Sequence, residues 1–286
     1  MDNLCITTLV EDTTLDGDFL AEHGISFWIE YGDKRILFDT GQSDILIRNA
    51  KTLGIDLAEV DAIVISHGHY DHTGGLSYIL DIAPKANVYL HPEAIETKFS
   101  QKTSSINSIG IPYLAKRAVQ KHQVVWTATP AQIYPGIIVT GQISRTNNFE
   151  DVGGGFFLDE NCMIPDELLD DQALFIESAE GLVVVLGCAH SGVVNTLDYI
   201  SNLINRNHIH AVIGGMHLLN ASEERIERTI TTFQKYDVQR IGLAHCTGAS
   251  AVRRFSDIFQ KQCFSCSAST RIKFETSHGY TSVKTK

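Results

Sequence analysis

The stretch His67-Gly68-His69-Tyr70-Asp71-His72-Thr73-Gly74-Gly75 places three imidazoles and one carboxylate within six positions. Ahead of it runs Ala62-Ile63-Val64-Ile65-Ser66, a short apolar, β-branched run that reads as a buried strand. Behind the glycine pair, Leu76-Ser77-Tyr78-Ile79-Leu80 reads as the start of a helix. The histidines therefore sit on a loop leaving the C-terminal end of a strand, where open α/β sheets place their sites. In an extended loop, residues two apart point the same way, so His67 and His69 can share one metal ion. Asp71 and His72 lie past the bend and can face a second. Imidazole nitrogen and carboxylate oxygen suit zinc, iron or manganese.

Three further histidines repeat the same local pattern far along the chain. Apolar runs end at Ala189-His190, at Gly214-Gly215-Met216-His217 and at Ala244-His245, as the first ends at Ser66-His67. Parallel strands of one α/β layer end on a common edge, so these side chains can converge despite their separation. Strand–loop–helix alternation in both halves predicts two similar halves packed sheet to sheet. Of the twelve histidines, His190 and His245 are the next choices as ligands, because each follows a strand in a tight small-residue loop. His217 reads better as a substrate or proton-transfer residue than as a ligand. His91 reads as a capping or packed residue, and His208 and His210 as packing or surface residues. His23, His122 and His278 carry no usable signal, although Glu22-His23-Gly24 is compatible with a position facing the site.

H-x-H-x-D-H after a buried strand resembles the signature of the metallo-β-lactamase fold superfamily. The resemblance implies a four-layer αββα sandwich with one or two metals at the edge between its sheets. It assigns Asp39, in Phe38-Asp39-Thr40-Gly41, to support of the metal loop, and makes His245 the last metal-binding histidine, sharing the second ion with Asp71 and His72. Two expected ligands are missing. The position of a histidine ahead of the hairpin formed by 173–176 and 182–186 holds Leu168, Leu169 or Asp170, and the position of the following aspartate holds Cys188. Cys188 or His190 must then fill the gap, with Asp171 as a third candidate. These departures match one branch. Leu9-Val10-Glu11-Asp12, His23-Gly24-Ile25-Ser26, the metal loop, Asp170-Asp171-Gln172-Ala173-Leu174, Gly187-Cys188-Ala189-His190, Gly214-Gly215-Met216-His217 and His245-Cys246-Thr247-Gly248 are similar to the ribofuranosylaminobenzene-phosphate dihydropterin synthase-like proteins of the methanopterin pathway.

The remaining composition narrows the function. A length of 286 residues with 43% apolar content suffices for one large domain. A single domain over 1–286 is expected, with a cap-like insertion at 93–123 and a flap at 145–170 that includes Gly153-Gly154-Gly155. That glycine run lacks the Lys-Ser/Thr of a phosphate loop. A net charge of −11 without a basic stripe argues against nucleic acid as a partner. It permits a small anionic substrate, because bound ions carry their own charge. No run is long and apolar enough for a membrane span, and the start lacks a basic-then-apolar leader. Six scattered cysteines, of which only Cys263 and Cys266 have metal or redox spacing, point to reduced thiols and a cytoplasmic location. An oligomer is compatible with the sequence, which does not set the oligomeric state.

The leading expectation is a dinuclear metallo-hydrolase, zinc favoured and iron or manganese as alternatives. A metal-bound hydroxide would attack a phosphoester or related ester of a small molecule. Asp71 would hold a metal and orient the nucleophile, and His217 would stabilise the oxyanion or protonate the leaving group. The first alternative is a transferase joining a dihydropterin to a ribofuranosylaminobenzene phosphate. The second is a non-catalytic binding or regulatory protein that retains the metal site.

Overall fold

A computed structural model describes residues 3–102 and 105–275; His278 lies outside them. The first sheet contains β1 (Asn3–Val10), β2 (Ser26–Tyr31), β3 (Lys34–Phe38), β4 (Ala62–Val64), β5 (Asn87–Leu90), β8 (Val124–Trp126) and β17 (Arg271–Glu275). Its order is β17-β1-β2-β3-β4-β5-β8, antiparallel as far as β3 and parallel from β3 to β8. The second sheet contains β9 (Ala131–Tyr134), β10 (Ile137–Val139), β12 (Leu174–Ser178), β13 (Gly181–Leu186), β14 (Ile209–Gly215), β15 (Arg240–Ala244) and β16 (Cys263–Ser265). It runs antiparallel from β9 to β13 and parallel from β13 to β16, so each half repeats one plan. The final strand leaves the second half and pairs with β1.

Side-chain alternation builds the layers. On β13, Val183 and Val185 point into the core between the sheets, whereas Leu182, Val184 and Leu186 point to the outer helices. On β3 and β4, Ile36, Phe38, Ala62 and Val64 face inward, and Leu37 and Ile63 face outward, as does Ile65 just past β4. Helices α1 (Ile45–Thr52), α3 (Leu76–Ile82) and α4 (Tyr113–Val119) cover the first sheet, sharing a buried cluster with Trp28, Leu37 and Ile63. Helices α5 (Val193–Ile204), α6 (Glu223–Lys235) and α7 (Ala249–Phe259) cover the second around Leu197, Phe233 and Phe255. The expected αββα sandwich is therefore the observed architecture. Truncating Phe255, fully buried among aromatic neighbours, would cost about 3–5 kcal/mol.

The segment read as a cap divides in two. Ile111, Ala115 and Val119 belong to the outer helix layer on the first sheet. The preceding hairpin, β6 (Phe99–Lys102) and β7 (Ser105–Ser108), pairs instead with β11 (Phe156–Phe157) in a small third sheet. The short helix α2 (Tyr70–Thr73) carries Asp71 and His72, and begins directly after His69. Parallel strands β4, β13, β14 and β15 all deliver their C-terminal ends to one edge, where His67, His190, His217 and His245 follow.

Candidate metal centre

At that edge His67 Nε2 lies 3.0 Å from His69 Nδ1, and the ring centroids of His67, His69 and His190 are 4.5 to 4.9 Å apart. The donor pattern fixes which nitrogens are free. His190 Nδ1 donates to the Val152 carbonyl at 2.8 Å, so its buried, unpartnered Nε2 presents a lone pair. Ser66 Oγ donates to Asp39 Oδ2 at 2.7 Å and so accepts from His67 Nδ1 at 2.9 Å, which leaves His67 Nε2 as an acceptor. Burial, reinforced by neighbouring imidazoles, holds His67 and His190 well below the usual histidine range. Burial takes His69 down to about 3. Neutral imidazole is the form that binds metal.

A second group surrounds Asp71. His72 Nδ1 is held by Asp39 Oδ2 at 2.7 Å, and His245 Nδ1 by Asp12 Oδ1 at 2.7 Å. Their Nε2 atoms then face Asp71 Oδ2 at 3.5 and 3.3 Å. Burial opposes protonation of both rings. Asp71 and Asp39 outweigh it for His72, and Asp12 and Asp71 for His245, so both are shifted upward. Burial likewise opposes the charge on Asp71, yet the surrounding imidazoles hold its carboxyl below the usual range. A histidine whose outer nitrogen is tied to a carboxylate, with the inner one left free, is the usual support of a metal ligand.

Cys188 stands between the two groups. Its Sγ is 3.3 Å from His72 Nε2, and it clusters with His67 and His72, with His190 and His217, and with His245 and Cys246. Burial pushes this thiol well up, so a thiolate here needs a cation beside it. The other sequence candidate for the gap, Asp171, is directed elsewhere: its Oδ2 accepts from Ser191 N at 2.8 Å and holds the turn that carries His190. Asp170 accepts from Gly68 N at 2.7 Å and from Lys98 Nζ at 2.9 Å. His91 caps a short turn by accepting from Glu93 N, and takes no part in these clusters.

The two halves meet closely because small residues permit it. A Cβ on Gly187 would lie 2.1 Å from Ser66 Oγ, so only glycine lets the end of β13 reach the metal loop. The glycine run of the expected flap packs against the site. Gly153 O accepts from His217 Nε2 at 3.2 Å, and Phe156 packs 5.3 Å from both His69 and His190. His217 stacks 4.3 Å from His190, its Nδ1 buried without a hydrogen-bond partner. Sequence reasoning missed Phe156, Lys98 and the carboxylate of Asp12, and set His23 aside. Asp12 and His23 lie in quoted motifs, but no spacing rule marks them.

Comparison with known proteins agrees with this fold. Residues 22–158 match the model of the metallo-beta-lactamase superfamily. A 7,8-dihydropterin-6-methyl-4-(beta-D-ribofuranosyl)-aminobenzene-5'-phosphate synthase of Methanocaldococcus jannaschii is 33% identical, over 96% of this chain and 98% of its own. The chain belongs to the metallo-beta-lactamase superfamily. A solved metal-dependent hydrolase of the beta-lactamase superfamily superimposes with a TM-score of 0.81 at 32% identity, covering 94% of this chain and 98% of its own. The metallo-beta-lactamase fold protein YhfI from Bacillus subtilis shares the fold at a TM-score of 0.57 and 13% identity, covering 95% and 100% of the two chains. Among the described residues no helix is long and apolar enough to cross a membrane.

The residues present fit divalent ions. His67, His69 and His190 offer three nitrogens to one, while Asp71, His72 and His245 offer an oxygen and two nitrogens to another. Cys188 lies within reach of both sets. Mixed imidazole, carboxylate and thiolate donors suit a divalent metal ion.

Proposed function

We propose that this protein is a metal-dependent hydrolase of a small phosphorylated molecule, acting at a two-ion centre held by His67, His69, His190, Asp71, His72, His245 and Cys188. The observation that carries the reading is the set of tied outer nitrogens. His67, His72, His190 and His245 each have Nδ1 bonded to a hydroxyl, carboxylate or carbonyl, and each belongs to one of the adjoining donor clusters around Cys188. Bound there, divalent ions would lower the pKa of a water and polarise a phosphoryl or acyl oxygen.

The protein's own side chains do the rest. Asp71 orients the nucleophile through its carboxylate. Phe156 covers His69 and His190 and excludes bulk water from that side. His217 exchanges its Gly153 contact for the leaving group and delivers a proton to it. The substrate's negative charge is met by the ions rather than by the protein, whose net charge is −11.

A second reading rests on the pterin-pathway relative, which matches nearly the whole chain. In that reading the amine of an aromatic ribofuranosyl phosphate would attack the methylene carbon of a dihydropterin pyrophosphate, the new carbon–nitrogen bond forming as pyrophosphate leaves. One experiment separates the two. Metal content is measured on protein purified without added metal. The protein is then assayed on phosphate mono- and diesters, and on a dihydropterin pyrophosphate with the aromatic phosphate, before and after chelation. Metal-dependent ester hydrolysis supports the first reading, and a coupled pterin product the second. Full metal loading with no turnover in either assay defeats both and leaves a binding or regulatory role.

A further inference from the structure

Loop 11–25, between β1 and β2, brings one more imidazole to Asp71. His23 Nε2 lies 3.3 Å from Asp71 Oδ2, the same oxygen that His245 Nε2 meets at 3.3 Å and His72 Nε2 at 3.5 Å. Its Nδ1 is 3.2 Å from Asp12 Oδ2, while the other oxygen of Asp12 holds His245. A single carboxylate thus braces two imidazoles side by side, their rings 4.7 Å apart, with both Nε2 atoms directed inward.

An imidazole that donates from Nδ1 presents a lone pair at Nε2. With the rings neutral, three such nitrogens around one carboxylate oxygen would oppose lone pair to lone pair, which either added protons or a shared cation relieves. A divalent ion shared by the four atoms satisfies all of them together. We propose that His23 is a ligand of the second ion, completing a three-histidine, one-aspartate set with Asp71, His72 and His245, and that Asp12 is the positioning residue for two of its histidines. This inference rests on the two-ion reading above.

The backbone is arranged for it. Gly24 has φ +140°, and a Cβ there would lie 2.3 Å from the Asp71 carbonyl oxygen. Glycine after His23 therefore lets loop 11–25 lie directly on the metal loop. Gly24 N also donates to Asp12 Oδ1 at 3.1 Å, which fixes the carboxylate that holds both rings. The His23 side chain is 54% exposed, and an exposed histidine–carboxylate contact alone contributes little to stability. It stands at the rim of the site, where a ligand can be exchanged for substrate without opening the core.

The test uses zinc stoichiometry, competition for zinc with a chelating dye, and the visible spectrum of the cobalt-substituted protein. Wild type, His23→Ala and His23→Gln are compared. In the chelated protein both variants should keep the wild-type thermal midpoint. Each should bind the second ion at least about tenfold more weakly and alter the cobalt bands of that site. Glutamine can replace a hydrogen bond to Asp71 but not a nitrogen ligand. Wild-type affinity and spectrum in His23→Gln, with loss only in His23→Ala, would overturn the proposal in favour of a hydrogen-bonding role. Unchanged affinity in both variants, with two ions in wild type, would overturn it while leaving the two-ion reading intact. Fewer than two ions in wild type would overturn both.

Discussion

Asp39 Oδ2 lies 2.7 Å from His72 Nδ1 in a seam where neither side chain meets water. The same carboxylate accepts from Ser66 N and from Ser66 Oγ, both at 2.7 Å, so it ties the end of β3 to both ends of the metal loop. The support expected of Asp39 from its motif is this contact.

Replacing Asp39 separates stability from metal binding. Asp39→Ala leaves the Ser66 amide and hydroxyl unsatisfied, at about 1–3 kcal/mol per group. It also places alanine at φ 58°, which adds about 1–2 kcal/mol of strain. Asp39→Asn tolerates that backbone and retains one acceptor. Its amide, however, turns a donor toward His72 Nδ1, which forces the proton to Nε2. Urea unfolding should therefore find the asparagine variant closer to wild type, whereas elemental analysis should find both variants depleted in the second ion. Retention of two ions by Asp39→Asn would refute the orienting role.

His190 and Cys188 should differ in what they lose. His190→Ala removes a nitrogen only from the group with His67 and His69, so it should lower the first ion's affinity and spare the second. Cys188 touches both groups, so Cys188→Ser should weaken both by about tenfold or more. Zinc titration in competition with a dye measures each. Two tight ions in folded His190→Ala would move the missing ligand elsewhere.

Strand-end histidines were legible because a strand followed by a small residue and a loop has one geometry, and parallel strands share one edge. The layers were legible for the same reason, from alternation along runs such as 182–186. Cys188 was readable as a candidate from its place in the hairpin. His23 was not, because its loop leaves β1, three strands along the sheet from β4, and no period connects it to Asp71. Phe156 and Lys98 were hidden for a related reason. The first is positioned by pairing with the hairpin from 99 to 108, the second by two carboxylates about seventy residues away. Long-range polar contacts leave no period in a sequence.

Lys98 should be a point of large sensitivity outside the metal ligands. It is 1% exposed and bonds Asp166 at 2.8 Å and Asp170 at 2.9 Å. Burial disfavours its charge, yet the two carboxylates outweigh it and raise its pKa. Lys98→Met strands both buried carboxylates and should cost about 3–5 kcal/mol in denaturant unfolding. Replacing Asp166 and Asp170 with asparagine in the same chain should recover much of that loss. A single variant within about 0.5 kcal/mol of wild type would contradict the account.

Asp171 gives the pH dependence a sign. It is 1% exposed, its Oδ2 accepts from Ser191 N, and its Oδ1 is buried without a partner. Burial pushes its carboxyl up to about 6 from an ordinary 3.8, against the Ser191 contact that pulls it down. Folding therefore binds this proton more tightly than the unfolded chain does. The stability it contributes is full below about pH 4 and is lost as pH rises through about 6, up to about 3 kcal/mol in all. Asparagine has no charge to bury at any pH and still offers an oxygen to Ser191 N. In chelated protein, Asp171→Asn minus wild type should therefore change in the variant's favour between pH 4 and pH 7, while other titrating groups cancel in the difference. Bound ions on the neighbouring His190 turn would lower the Asp171 pKa, so the same slope should shrink in metal-loaded protein. A difference that stays flat with pH in the chelated form would mean that folding leaves the Asp171 pKa unshifted.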